Sequence, residues 1–248
     1  MALSPATVKQ PLGEGTQVQW LKRVASFLPT SLQYELKRHY YAWQIRTGRF
    51  RSPEPEFDCL DQWIQEGDWV IDVGANVGHY TVRFSQLVGP SGRVLAFEPI
   101  LQTFSFLAAN VRRLPHNNVT LFNTALTDRS RLVGMCVPKT LAGTYLAHMS
   151  ESNADLFVLS HTLDNLSLPH AIKLVKIDAE GHELAVLRGM TRILLNDRPT
   201  LIVEANSNTT VEFLRSYGYE IETLAGSPNR IFRPSRSCLL AGAGQKPY

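Results

Sequence analysis

The stretch VIDVGANVGHY, residues 70–80, decides the fold. Its apolar start, Trp69-Val70-Ile71, meets Asp72 and then glycines at 74 and 78, and an amphipathic run at 80–88 follows at once. A short apolar burst, a Gly-rich turn and a 3.6-periodic segment predict a buried strand, a tight turn and a helix. That is the opening unit of an open α/β sheet. Such a turn is a ligand site, because glycine lets the backbone approach closely and a helix start presents unpaired N–H groups.

The spacing departs from the dinucleotide fingerprint G-x-G-x-x-G, whose middle glycine makes room for a pyrophosphate. Here D-x-G-x-N-x-G puts Asn76 where that glycine is sought, and Asp72 places a carboxylate where a pyrophosphate would be repelled. A carboxylate suits a cation such as an amino-acid ammonium. A second apolar strand, Arg93-Val94-Leu95-Ala96-Phe97, then ends in Glu98-Pro99, where an acid is expected to grip ribose hydroxyls. One acid for an ammonium and one for a ribose predict S-adenosylmethionine as cofactor.

The chain's 248 residues suffice for one substantial core, and 44% hydrophobic with 19% charged residues is ordinary for a globular protein. Cys59, Cys136 and Cys238 are far apart and form no CxxC pair, which argues against a disulfide frame or a zinc site. No apolar run approaches the ~20 residues of a membrane helix, and the N-terminus lacks a secretory h-region, so a cytoplasmic protein is expected. Net charge is +3, yet residues 1–51 hold eight basic against two acidic residues. A basic front can meet phosphates, an anionic lipid surface or an acidic carrier, but no nucleic-acid motif accompanies it.

Residues 18–49 have a helical pattern, with Trp20, Leu21, Val24, Phe27 and Leu28 on one stripe that Leu32, Tyr34, Leu36, Tyr40, Tyr41 and Trp43 continue. Residues 1–55 are therefore expected to form a helical cap or substrate segment, ending in an extended Pro-rich linker at 51–56. A catalytic domain at 56–235 and a tail at 236–248 complete the layout. Strands are predicted at 69–74, 93–98, 119–125, 172–177 and 200–204, with helices at 78–88, 101–114, 182–195 and 209–217 between them. An irregular excursion at 128–165 holds β-like pieces at 132–137 and 156–159. A closing hairpin at 219–224 and 230–232 makes the last strand antiparallel in a mostly parallel sheet.

In such a sheet the ligand lies beyond the carboxyl ends of the strands. The tips read Asp72-Val73-Gly74, Glu98-Pro99, Asn123-Thr124-Ala125-Leu126, Asp178-Ala179-Glu180-Gly181-His182-Glu183 and Glu204-Ala205-Asn206. Methyl transfer is a displacement at a sulfonium, so the protein mainly aligns nucleophile and methyl. A hydroxyl nucleophile also has to lose its proton, which favours a nearby imidazole or carboxylate. His182 is the first choice as base on its ordinary pKa, with Asp178 and Glu180 beside it.

Those residues also carry a resemblance. DVGANVGHYT, AFEP at strand two, TLDNL at 162–166 and above all VKIDAEGHELAVLRGM resemble the FkbM-type methyltransferase family over about residues 56–219. The resemblance implies a Rossmann-like, seven-stranded S-adenosylmethionine fold, with many members methylating sugar or natural-product hydroxyls. It implies that Asp72, Gly74, Asn76, Gly78 and the adjoining Tyr80 hold the methionine end, with Asp178 beside the methyl. Glu98 and Pro99 would hold the ribose, and Thr124 and Ala125 would lie along adenine. Tyr145, His148, Glu204 and Asn206 are expected on the acceptor side, where a small molecule, sugar or glycolipid would bind.

Asp178, Glu204 and Asn206 also resemble the oxygen set that holds magnesium in catechol-type O-methyltransferases, without their adjacent Asp-Asn pair. Two other functions share these residues: N-methylation of a peptide or small molecule, and a cofactor-binding module without catalysis.

Overall fold

A computed structural model of the chain describes residues 28–137, 147–150, 154–205 and 207–235. Two compact units emerge, residues 1–40 and 41–248. The division falls inside helix α1 (Thr30–Arg46). Residues 1–27, Tyr145, Asn206 and the expected tail 236–248 lie outside the described residues.

The larger unit carries strands β1 (Trp69–Val73), β2 (Arg93–Phe97) and β3 (Val119–Phe122), with helices α2 (His79–Val88) and α3 (Leu101–Val111) between them. Strands β4 (Ala125–Leu126), β5 (Arg131–Cys136), β6 (His148–Met149) and β7 (Leu156–His161) follow. Then come β8 (Ile172–Ile177), α4 (Glu183–Arg188), α5 (Thr191–Asn196), β9 (Thr200–Val203), α6 (Asn208–Ser216), β10 (Tyr219–Thr223) and β11 (Arg230–Pro234). The main sheet has the order β3-β2-β1-β8-β9-β11-β10, and within it only β11 opposes its neighbours. This is the expected mostly parallel sheet with an antiparallel last strand.

Both faces of the central strands are covered, which is why they read as continuous apolar runs. Ile71, Val73, Leu95, Phe97, Val175 and Ile177 pack towards α4, α5 and α6, against Leu187, Ile193 and Leu214. Val70, Val94, Leu174 and Ile202 pack the other way, against Phe84 and Val88 of α2 and against Phe57 and Leu60. Each such fully buried side chain contributes roughly 1.5–3 kcal/mol. Register then sets the site: Val73 is level with Phe97 on one side and Ile177 on the other, and Ile177 with Val203. Gly74, Glu98, Asp178 and Glu204 therefore leave the sheet at one height.

The β-like pieces expected within the excursion are β5 and β7, and among the described residues they join β4 and β6 in a second sheet of order β4-β7-β5-β6. Three local expectations change. The third strand stops at Phe122, because Asn123 Nδ2 donates to the carbonyls of Glu98 and Pro99, and Thr124 Oγ1 donates to that of Leu159. The helix expected at 182–195 breaks into α4 and α5 at Gly189-Met190. A Cβ on Gly189 would lie 2.1 Å from the Thr127 carbonyl, so the chain has room for backbone only. The stretch at 51–56 is no free linker either. Pro55 opens a 3-10 turn (Pro55–Gln62), as a proline at a first helical position can, and Glu54 and Glu56 are bound into the domain as described next.

Candidate active site

The turn after β1 takes three left-handed residues, Gly74 (φ 71°), Asn76 (φ 51°) and Gly78 (φ 98°). Gly74 is fixed by space as well as by φ, since a Cβ there would stand 1.9 Å from the Asp178 carbonyl. Asparagine tolerates the left-handed region better than most residues. The conformation aims the Asn76 N–H at Glu98 Oε2, 2.9 Å away.

Glu98 is 5% exposed, and its other oxygen accepts from the Ile100 N–H at 2.9 Å. Burial pushes its carboxyl up to about 7. The two backbone N–H groups pull the other way, and the charges of Asp72 and Asp178 add to the rise. An acid held this way accepts hydrogen bonds best when ionised, and its second lone pairs remain to receive hydroxyls.

Asp72 is wholly buried beneath the turn. Its Oδ2 accepts from Thr81 Oγ1 at 2.5 Å, and its Oδ1 has no hydrogen-bond partner among the described residues. Burial raises its pKa, opposed by the charge of Lys176 and the Thr81 bond.

Lys176 is the residue the sequence reading missed. It is 3% exposed, its Nζ lies 3.1 Å from Asp178 Oδ2, and it sits 4.7 Å from the centre of the Tyr80 ring. Burial works against its charge, but Asp178, Asp72 and Glu54 outweigh burial and raise its pKa. The available signal was Lys176 within the run Leu174-Val175-Lys176-Ile177, at a position level with the apolar centre of the sheet, whereas Lys173 on the same strand is exposed. A lysine on a strand is usually solvated, as Lys173 is, so residue type alone does not mark Lys176.

Tyr80 does not line the cleft. Its hydroxyl donates towards Glu54 Oε2 at 2.8 Å and Glu56 Oε1 at 3.1 Å. Burial and both glutamates push its phenol far up, so it stays a donor. Glu56, also buried, accepts from Ser227 Oγ at 2.6 Å and from Asn229 Nδ2. This network ties the 3-10 turn, α2 and the β10–β11 connection into one base under the strand tips.

The cleft above is lined by Gly74, Asn76, Glu98, Pro99, Thr124, Ala125, Asp178 and Glu180, all expected from the sequence. Ile100, Leu126, Met135, Ala147 and Met149 supply its apolar wall. Glu180 adopts a left-handed φ of 46° on the rim. His182, the sequence's first choice as base, is not part of the lining: its Nε2 lies 3.3 Å from the Met149 carbonyl. His148 is exposed on β6, and Glu204 follows β9 outside the cleft. Asn206 of the expected Asp178, Glu204 and Asn206 oxygen set lies outside the described residues. No helix among them is long and apolar enough to cross a membrane.

These residues fit S-adenosylmethionine. Glu98 supplies acceptors for a diol, the apolar wall suits a purine, and Gly74 lets a ligand reach backbone. Asp72 offers a buried oxygen without a partner. Asp178, Asp72 and Glu54 act together on one buried lysine, Lys176, and that excess of acid favours a cationic ligand.

Comparison with known proteins agrees with this. The model of the methyltransferase FkbM domain matches residues 72–221. The chain is 28% identical over 155 residues to a hexuronic acid methyltransferase of Haloferax volcanii, across 61% of each chain. It is 34% identical over 64 residues to a protein-L-isoaspartate O-methyltransferase of Methanothrix thermoacetophila, across 26% of this chain and 30% of that one. Both matches span less than two thirds of the relative's own length. A crystal structure of a methyltransferase FkbM from Methylobacillus flagellatus superposes with a TM-score of 0.51 at 16% identity, covering 87% of this chain and 58% of that one. At that identity the likeness is one of fold.

Proposed function

Because the chain belongs to the FkbM methyltransferase domain family, we propose that it moves a methyl group from S-adenosylmethionine to a hydroxyl oxygen of a sugar-type acceptor. The observation that carries this reading is the juxtaposition of Glu98, Gly74 and Asp178 on one cleft at the strand tips. The bound cofactor supplies an electrophilic methyl on a sulfonium. Glu98 receives the ribose hydroxyls, and the buried acids favour the cofactor's cationic end. The Pro99, Ile100, Thr124 and Ala125 edge flanks the purine.

Asp178 would take the acceptor's proton, a role supported by its position on the cleft wall. One of its oxygens is held by Lys176, which fixes its orientation. It replaces His182 as the favoured base because it lines the cleft and the imidazole does not. The sugar class is supported by the hexuronic acid methyltransferase relative, and the oxygen nucleophile by a carboxylate on the cleft wall.

The test combines calorimetry with product analysis. S-adenosylhomocysteine is expected to bind and NAD not to. Isotope-labelled methyl from S-adenosylmethionine should appear as a sugar O-methyl group when hexuronic acid glycosides are offered. Label on nitrogen across a mixed acceptor panel would overturn the oxygen assignment, and tight cofactor binding without turnover on any acceptor would favour a non-catalytic module.

A further inference from the structure

We infer that His182 is a positioning residue that fastens the apolar wall over the adenosine half of the cleft. The inference rests on the cofactor reading above and adds a role for a part of the chain which that reading leaves unused.

Among the described residues β6 is two residues long and pairs with β5, through Met135–Met149 and Cys136–His148. The Ser150 N–H adds one bond to the Gly134 carbonyl at 2.9 Å. The seat is close: a Cβ on Gly134 would come within 2.6 Å of the Ser150 carbonyl. This short strand carries Met149 into the cleft beside Met135, Leu126 and Thr124.

His182 supplies an attachment from outside that sheet. Its Nε2 lies 3.3 Å from the Met149 carbonyl, and because a carbonyl can only accept, the ring nitrogen is the donor. The imidazole stands on firm ground. Its own carbonyl accepts from the Ala185 and Val186 N–H groups at 3.0 and 3.1 Å. Glu183, next along, accepts from the N–H groups of Gly181 and Ala179 at 2.9 and 3.3 Å. One bond thus joins the loop after β8, which presents Asp178 and Glu180, to the strand that presents Met149. The nitrogen committed to that carbonyl is unavailable as a base.

The experiment measures binding of S-adenosylhomocysteine and of 5′-methylthioadenosine, which keeps the adenosine half and lacks the amino acid, to purified full-length variants checked by thermal melting. His182→Ala should weaken both ligands by a similar factor, roughly three- to tenfold, as expected for one lost hydrogen bond. The loss should appear in KM for the cofactor. His182→Gln, whose amide nitrogen can donate to the same carbonyl, should return both affinities to within twofold of the parent. Met149→Ala should weaken both ligands without touching the imidazole, which keeps the test open if His182→Ala fails to fold. The inference falls if His182→Ala binds both ligands normally and loses only kcat, or if folded His182→Gln recovers nothing. If the parent binds neither ligand, the cofactor reading fails first.

Discussion

The carboxyl of Glu98 links stability and cofactor affinity to pH in opposite senses, and Glu98→Gln separates them. Its folded pKa is pushed up from 4.5 to about 7, chiefly by burial. At about 1.4 kcal/mol per pKa unit, that displacement is worth on the order of 3 kcal/mol. An acid that holds its proton more tightly when folded contributes its full stability below about 4.5, and that contribution is lost as pH rises through about 7. Denaturant unfolding of the ligand-free protein should therefore show stability falling over this window, with the Glu98 share absent from Glu98→Gln. The absolute offset of the variant is mixed, because an amide can satisfy only one of the Asn76 and Ile100 N–H groups and turns a donor towards the other. The difference between the two pH curves is free of that offset. Ribose hydroxyls need the ionised acid, so S-adenosylhomocysteine affinity should rise with pH through about 7 in the parent. Glu98→Gln should bind at least tenfold more weakly, since a hydrogen bond to a charged group is worth about 1.5–3 kcal/mol. Parallel pH curves for parent and variant, or unchanged affinity, would refute the reasoning.

Lys176→Met leaves Asp72 and Asp178 without their buried cation and should cost about 3–5 kcal/mol, or roughly 6–20 °C in melting temperature. Adding Asp72→Asn should recover part of that loss, and two independent, additive effects would show that the residues do not interact. Gly74→Ala drives a Cβ into the Asp178 carbonyl and should abolish S-adenosylhomocysteine binding in calorimetry, even where circular dichroism shows a folded protein. Asp178→Asn should lower kcat about 100- to 10,000-fold, the usual range for a proton acceptor, with cofactor affinity within threefold. Activity that collapses in EDTA and returns with magnesium would instead give Asp178 a metal-binding role. Removal of residues 1–40, the smaller compact unit, should preserve S-adenosylhomocysteine binding and impair transfer to the acceptor if that unit is a substrate segment. Full activity in the truncated protein would rule out such a role.

What the sequence determined by itself was local in origin. Apolar strands covered on both faces, glycines at 74 and 78, and acids one residue past β2, β8 and β9 are short-range patterns. They led directly to the mostly parallel sheet, the cleft and most of its lining. Asn76 was legible because its displacement of a glycine has one steric meaning. The tertiary structure decided the rest, where residues far apart in the chain meet. Lys176 matters because register sets β8 beside β1, bringing its ammonium among Asp72, Tyr80 and Asp178. Glu54 and Glu56 looked like linker residues until Tyr80, Ser227 and Asn229 converged on them. The excursion became a sheet through pairings between β5 and β7, some 25 residues apart, and periodicity within either strand cannot specify such a pairing. His182 had the chemistry of a base in the sequence, and its proximity to the Met149 carbonyl is what gives it another task. Side-chain type is written in the chain, but the direction a side chain faces and the partner it meets depend on packing between distant segments.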